Sequence, residues 1–155
     1  QQPLHSDYAH FGTLPELLLV GTWIALQDID KDSGPLQVVP GSHKFNIYRY
    51  ANHNNGNLPK SINEVKKFYN KYENWVKERI KRKKLKPVTP VMKKGDCIIW
   101  SANMLHGSPK CKNPKLSRRS QVTHWTFTNV KEHYNPVFSN IDKSLIIKRS
   151  VNYIR

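Results

Sequence analysis

Cysteine is almost absent from this chain, acidic residues are few, and no apolar run is long enough to span a bilayer. Two cysteines, Cys97 and Cys111, cannot build a disulfide framework and lack the spacing of a zinc knuckle. They are expected to be unpaired thiols in a reducing, cytoplasmic compartment. The longest apolar stretch, residues 17–26, is broken by Gly21 and Thr22, so a membrane-spanning helix is not expected. No signal-peptide pattern is visible. An initiator Met is lacking too, and a candidate ligand lies only four residues from Gln1. A ligand needs packed neighbours to fix it, so preceding sequence is expected, with the N-terminal part of the fold missing.

What is abundant is positive charge. The 155 residues carry 26 Lys and Arg against 11 Asp and Glu, a net +15, and residues 60–86 hold eleven cations against Glu64, Glu73 and Glu78. Such a patch attracts nucleic acid, anionic lipid or an anionic substrate, but it can equally be the solvated face of a helix. No nucleic-acid-binding motif accompanies it, which weakens that reading. Hydrophobic content of 37% and charged content of 24% suit one globular domain over residues 1–155.

Taken in order, residues 17–26 read as a long buried strand and residues 35–39 as the next, the two forming a hairpin. Pro40-Gly41 favours a type II turn. Ser61 with Glu64 makes a capping box, and Ile62, Val65, Tyr69, Tyr72, Val76 and Ile80 lay one apolar stripe on a helix of about five turns, widened by Phe68 and Trp75. Residues 87–91 are an interrupted strand, and Cys97-Ile98-Ile99-Trp100 a buried one. Residues 117–128 alternate as a strand with Arg118, Ser120, Val122 and His124 on one face and Arg119, Gln121, Thr123 and Trp125 on the other. Beyond Asn129 the signals weaken, with residues 144–147 apolar enough for a short strand or helix. Many short strands, one helical insert and no βαβ rhythm predict a mainly β sandwich or barrel.

Chemistry concentrates at His5-Ser6-Asp7. On extended backbone, side chains one residue apart point the same way, so this imidazole and carboxylate can hold adjacent corners of a metal's coordination sphere. A second histidine would complete the 2-His-1-carboxylate face that leaves positions open on non-haem Fe(II). His106, just after a strand in a Gly-Ser turn, is placed to supply it. Arg118 begins the following strand, and a fixed guanidinium binds a carboxylate better than lysine does. A cupin is disfavoured, because His5 is followed by Asp7 and not by a second histidine.

The order and spacing of His5-Ser6-Asp7, residues 23–28, residues 34–44 with Pro40-Gly41-Ser42-His43, Gly95-Asp96, Leu105-His106-Gly107-Ser108 and Arg118-Arg119-Ser120 resemble the phytanoyl-CoA dioxygenase family of Fe(II)- and 2-oxoglutarate-dependent oxygenases. The resemblance implies a double-stranded β-helix with iron held by His5, Asp7 and His106. It implies 2-oxoglutarate bound through Arg118, with Arg119 as the rival, and polar contacts from Ser108 and Thr22. Oxygen would be consumed, succinate and CO2 released, and a C–H bond of a small-molecule or thioester-linked substrate hydroxylated; the basic helix over 61–84 could meet an anionic substrate of that kind. Halogenating relatives replace the carboxylate of this triad, and Asp7 is retained here. His43 is expected to be structural, and His10, His53, His124 and His133 carry no support as site residues. The readings left beside this one are a non-catalytic metal- or ligand-binding relative and a basic nucleic-acid-binding module.

Overall fold

A computed structural model describes residues 2–151. Three short antiparallel sheets make the body. One holds β1 (Gln2–His5), β6 (His106–Ser108) and β4 (Gln37–Val38) in the order β1-β6-β4. A second pairs β2 (Gly12–Leu14) with β8 (Glu132–Tyr134). The third places β3 (Leu19–Ala25) between β5 (Cys97–Ser101) and β7 (Ser120–Thr126). A single long helix, α1 (Ile62–Arg82), is inserted between β4 and β5. No helix among the described residues is long and apolar enough to cross a membrane.

The expected strand over 17–26 forms as β3, with Leu19, Gly21, Trp23 and Ala25 buried on one face in period two. Its hairpin with 35–39 does not form. β4 is only two residues long and pairs with β6, Gln37 opposite Gly107 and Val38 opposite His106, so the loop between β3 and β4 carries the chain across to the other sheet. The segment 87–91 contributes one bridge, Val38 to Val88, in place of a strand. β5 is exposed at Cys97 and Ile99, so only one of its faces is buried. β8, where sequence signals fade, is added by pairing with β2, and 144–147 remains irregular apart from an Asn140–Leu145 bridge.

The helix begins where its cap residues put it. The Ser61 hydroxyl accepts from the Glu64 N–H at 3.3 Å, while the Glu64 carboxylate takes the Lys60 N–H at 2.7 Å. The buried stripe centres on Phe68, Tyr72 and Val76, and Ile62 is exposed because the first turn precedes the contact with the body. These side chains pack with Ala9, Val39, Tyr48, Tyr50, Leu105 and Val137 in one core cluster. A second cluster of Trp23, Ala25, Ile29, Leu36, Met92 and Trp100 fills the space beside β3 and β5. Two glycines allow the close approaches this needs. A Cβ on Gly21 would lie 2.4 Å from the Trp100 ring, and one on Gly107 would lie 2.7 Å from the Gln2 carbonyl oxygen.

Candidate metal centre

The register of β1 against β6 sets His5 directly opposite His106. Ser6 is extended, and Asp7 opens a short 3-10 turn, so the Asp7 carboxylate returns to the side on which His5 points. One ligand atom from each of His5, Asp7 and His106 can be chosen so that all lie within 4.8 Å of one another. Sequence spacing thus marks three residues that the fold does bring together.

Each ligand is oriented from behind. His5 Nδ1 lies 2.9 Å from the Pro3 carbonyl and His106 Nδ1 lies 3.1 Å from the Met104 carbonyl. A proton on each Nδ1 satisfies those carbonyls and leaves both Nε2 lone pairs facing inward, the arrangement common behind metal-bound histidines. The Gln2 side-chain amide donates to His5 Nε2 at 3.2 Å. Asp7 is held from two sides. The indole N–H of Trp100 donates to Oδ2 at 2.7 Å, and Oδ1 lies 3.5 Å from His106 Nε2 and 3.2 Å from His124 Nε2. The turn carrying Asp7 is pinned by Tyr72 of α1, whose hydroxyl oxygen accepts the Ser6 N–H at 2.7 Å, and by Tyr8 N–H donating to the Ala102 carbonyl at 3.1 Å. The helical insert therefore helps build the centre.

The Pro40-Gly41-Ser42-His43 run serves the same end. Gly41 takes a left-handed φ of 86°, a conformation glycine adopts without steric cost. The fully buried Ser42 hydroxyl donates to the Val39 carbonyl at 2.6 Å and accepts the Leu105 N–H at 2.8 Å, fixing the chain one residue before His106. His43 itself is exposed, and its carbonyl accepts from Asn103.

Burial pushes the Asp7 carboxyl up, but the His124 hydrogen bond, electrostatic attraction to the His106 and His124 rings and the Trp100 N–H outweigh it and hold the group below its ordinary range. Burial lowers His106, with Asp7 opposing and His5 adding to the effect, so the neutral imidazole that a metal requires is favoured. His10 lines the same space, and burial, reinforced by His5, pulls it down to about 4.

The centre opens into a cleft of about 520 Å³ walled by both larger sheets. Arg118, Ser120, Val122 and His124 face it from β7 and the residues before it, as alternation predicts, and Ser108 faces it from β6. The Arg118 guanidinium donates to the Gly34 carbonyl, and the Ser108 hydroxyl accepts the Gln2 N–H at 3.1 Å. Two expected contacts lie elsewhere. Thr22 is on the opposite face of β3, where its hydroxyl donates to the Thr123 carbonyl at 3.2 Å and accepts the Trp125 indole N–H at 3.0 Å. Arg119 is exposed and does not line the cleft. His10 and His124, given no role by sequence, both stand in the cleft, as do Phe11 and the two tryptophans Trp23 and Trp100. For His124 the signal existed, since it shares a strand face with Arg118. His53 stacks on Tyr48 with ring centroids 4.1 Å apart, away from the cleft.

The architecture matches solved structures at low sequence identity. The chain aligns over 97% of its length with 53% of the α-ketoglutarate-dependent carbocyclase SnoK from nogalamycin biosynthesis, at a TM-score of 0.58 and 13% identity. It aligns over 86% with 41% of the α-ketoglutarate-dependent epimerase SnoN, at a TM-score of 0.53 and 18% identity. The fold is therefore the cupin-like double-stranded β-helix that these structures share. In sequence, the chain is 27% identical over 150 residues to peroxisomal phytanoyl-CoA dioxygenase of Homo sapiens, covering 94% of this chain and 40% of that protein. It thus spans well under half of this curated relative. The Phytanoyl-CoA dioxygenase (PhyH) family model matches residues 1–120, which include all three converging side chains and Arg118, and by that match the chain belongs to the phytanoyl-CoA dioxygenase family.

Proposed function

We propose that this chain carries the metal- and keto-acid-binding part of an Fe(II)- and 2-oxoglutarate-dependent dioxygenase. Its reaction would hydroxylate a C–H bond of a small-molecule or acyl-thioester substrate. The observation that carries the reading is the convergence of His5, Asp7 and His106 at the head of a cleft that also presents Arg118. Two imidazole nitrogens and one carboxylate oxygen are the donor set that suits non-haem Fe(II), and hydrogen bonds from behind aim all three. Iron with 2-oxoglutarate and O2 would supply the oxidising chemistry, releasing succinate and CO2.

The protein's own residues divide the remaining work. His5 and His106 would hold the metal through Nε2, the exposed Gln2 amide giving up its contact with His5, and Asp7 through Oδ1, since the buried Trp100 occupies Oδ2. Arg118, oriented by the Gly34 carbonyl, would take the far carboxylate of the keto acid as a charge-assisted pair. Ser108 offers a hydroxyl on the same wall. Trp23, Leu36 and Val122 line the cleft with apolar surface that favours a carbon chain over water. SnoK and SnoN share the fold yet are named for cyclisation and epimerisation, so fold does not fix reaction outcome. Hydroxylation and a thioester substrate are favoured by similarity to phytanoyl-CoA dioxygenase, together with retention of Asp7.

Anaerobic titration with Fe(II) and then 2-oxoglutarate, read by the weak visible absorption of the chelated keto acid, tests the reading. The expected result is a band that is lost in His106→Ala and needs far more keto acid in Arg118→Ala. A folded sample with no band, and no succinate in air, would place the chain among non-catalytic relatives.

A further inference from the structure

A second cavity, of about 420 Å³, lies outside the metal centre, between the asparagine-rich loop 54–58 and the first half of α1. Lys60, Lys67 and Lys71 line it, together with Asn54, Asn57 and Phe68. Lys67 and Lys71 stand four residues apart on one helix face, where like charges repel. None of the three lysines forms an ion pair among the described residues. The one carboxylate in the cavity wall, Glu64, is already engaged by the Lys60 N–H at the helix cap. Lys71 is held in place, its ammonium donating to the His53 carbonyl at 3.1 Å and to Asn54 Oδ1 at 3.3 Å. The buried Phe68 lies behind the group.

A concave site with three cations, one of them fixed, against the single carboxylate of Glu64, and with amide side chains at its rim, keeps a net positive charge that suits a compact multivalent anion. We propose that this groove binds the phosphoryl groups of a phosphorylated small molecule. The inference stands on the groove alone and does not depend on the metal centre. Lys60, Lys67 and Lys71 are exposed, and what separates them from a plain solvated helix face is the concavity they share and the hold of the loop on Lys71. An extended nucleic acid backbone would engage the cationic end of α1, around Lys81 and Lys83, as much as this groove.

The test is a titration of the full chain, without metal, with inorganic pyrophosphate at physiological salt, followed by amide chemical shifts. Saturable shifts confined to residues 54–71 are expected. Lys67→Gln, which removes a cation that has no hydrogen bond to the loop, should weaken binding at least threefold. Lys67→Gln with Lys71→Gln should weaken it at least tenfold, and Lys81→Gln with Lys83→Gln less than twofold. Non-saturating shifts spread over all lysines, or equal losses in the two double variants, would overturn the proposal in favour of diffuse charge. So would tight binding of a single-stranded oligonucleotide that pyrophosphate cannot displace. The Lys67→Gln variant keeps the test decisive if losing Lys71 disorders the loop.

Discussion

The two faces of the β5-β3-β7 sheet are made by the same three strands, carry similar residue types and do different work. The inner face carries Trp23, Trp100, Ser120, Val122 and His124 toward the cleft and the converging His5, Asp7 and His106. The outer face carries Thr22, Ile99, Thr123 and Trp125, with Ile99 68% and Trp125 57% exposed. Only period-two alternation separates them, so a shift of one residue moves a side chain from the site to the far surface. Thr22 and Arg119 are the two residues that this rule removes from the cleft, each a neighbour of one that lines it.

The contrast can be broken most severely at the metal itself. His106→Ala should abolish Fe(II) binding, read as at least a hundredfold rise in Kd by anaerobic titration, while far-UV dichroism stays native. Next, Trp100→Phe keeps the packed ring but removes the N–H from Asp7 Oδ2. Metal affinity should fall about 10–100-fold, the usual cost of losing a partner behind a ligand, and the Co(II) ligand-field spectrum should change as both carboxylate oxygens become available. Arg118→Ala should raise the keto-acid Kd by about 10–100-fold, because a hydrogen-bonded charge is worth about 1.5–3 kcal/mol. Arg119→Ala, its outer-face neighbour, should leave that Kd unchanged.

Acidity sharpens the same comparison, since the cleft side holds the buried histidines. His10 is pulled from 6.5 down to about 4 in the folded protein. Between those values the unfolded chain binds a proton that the native state does not, so native stability rises with pH across this window and is lost as pH falls through it. The metal-free protein should therefore melt at a lower temperature at pH 5 than at pH 7, and His10→Gln should flatten that dependence. The smallest effect belongs to the outer face. Thr22→Val should change stability by no more than about 1–3 kcal/mol, the worth of its two hydrogen bonds, and metal and keto-acid binding not at all.

Some of this was legible in the chain because the causes are local. The His5-Ser6-Asp7 pairing needs only an extended Ser6, the α1 start needs only Ser61 and Glu64, and the Arg118–His124 face needs only alternation. The hairpin expected between β3 and β4 failed because nearness in sequence does not choose a sheet partner for a two-residue strand. The approach of His124 to Asp7 is not legible in that shared face, because it depends on how β7 registers against β3.

By itself, then, the sequence determined the side-by-side placement of His5 and Asp7, the helix cap and which residues of each strand travel together, since all of these follow from backbone periodicity and short-range hydrogen bonds. The tertiary structure alone decided that Trp100, 93 residues away, takes one oxygen of Asp7, and that Tyr72, 66 residues away, pins Ser6. It also decided that three lysines meet around one cavity. Such contacts arise when packed elements bring distant side chains into one volume, and no spacing along the chain encodes that distance.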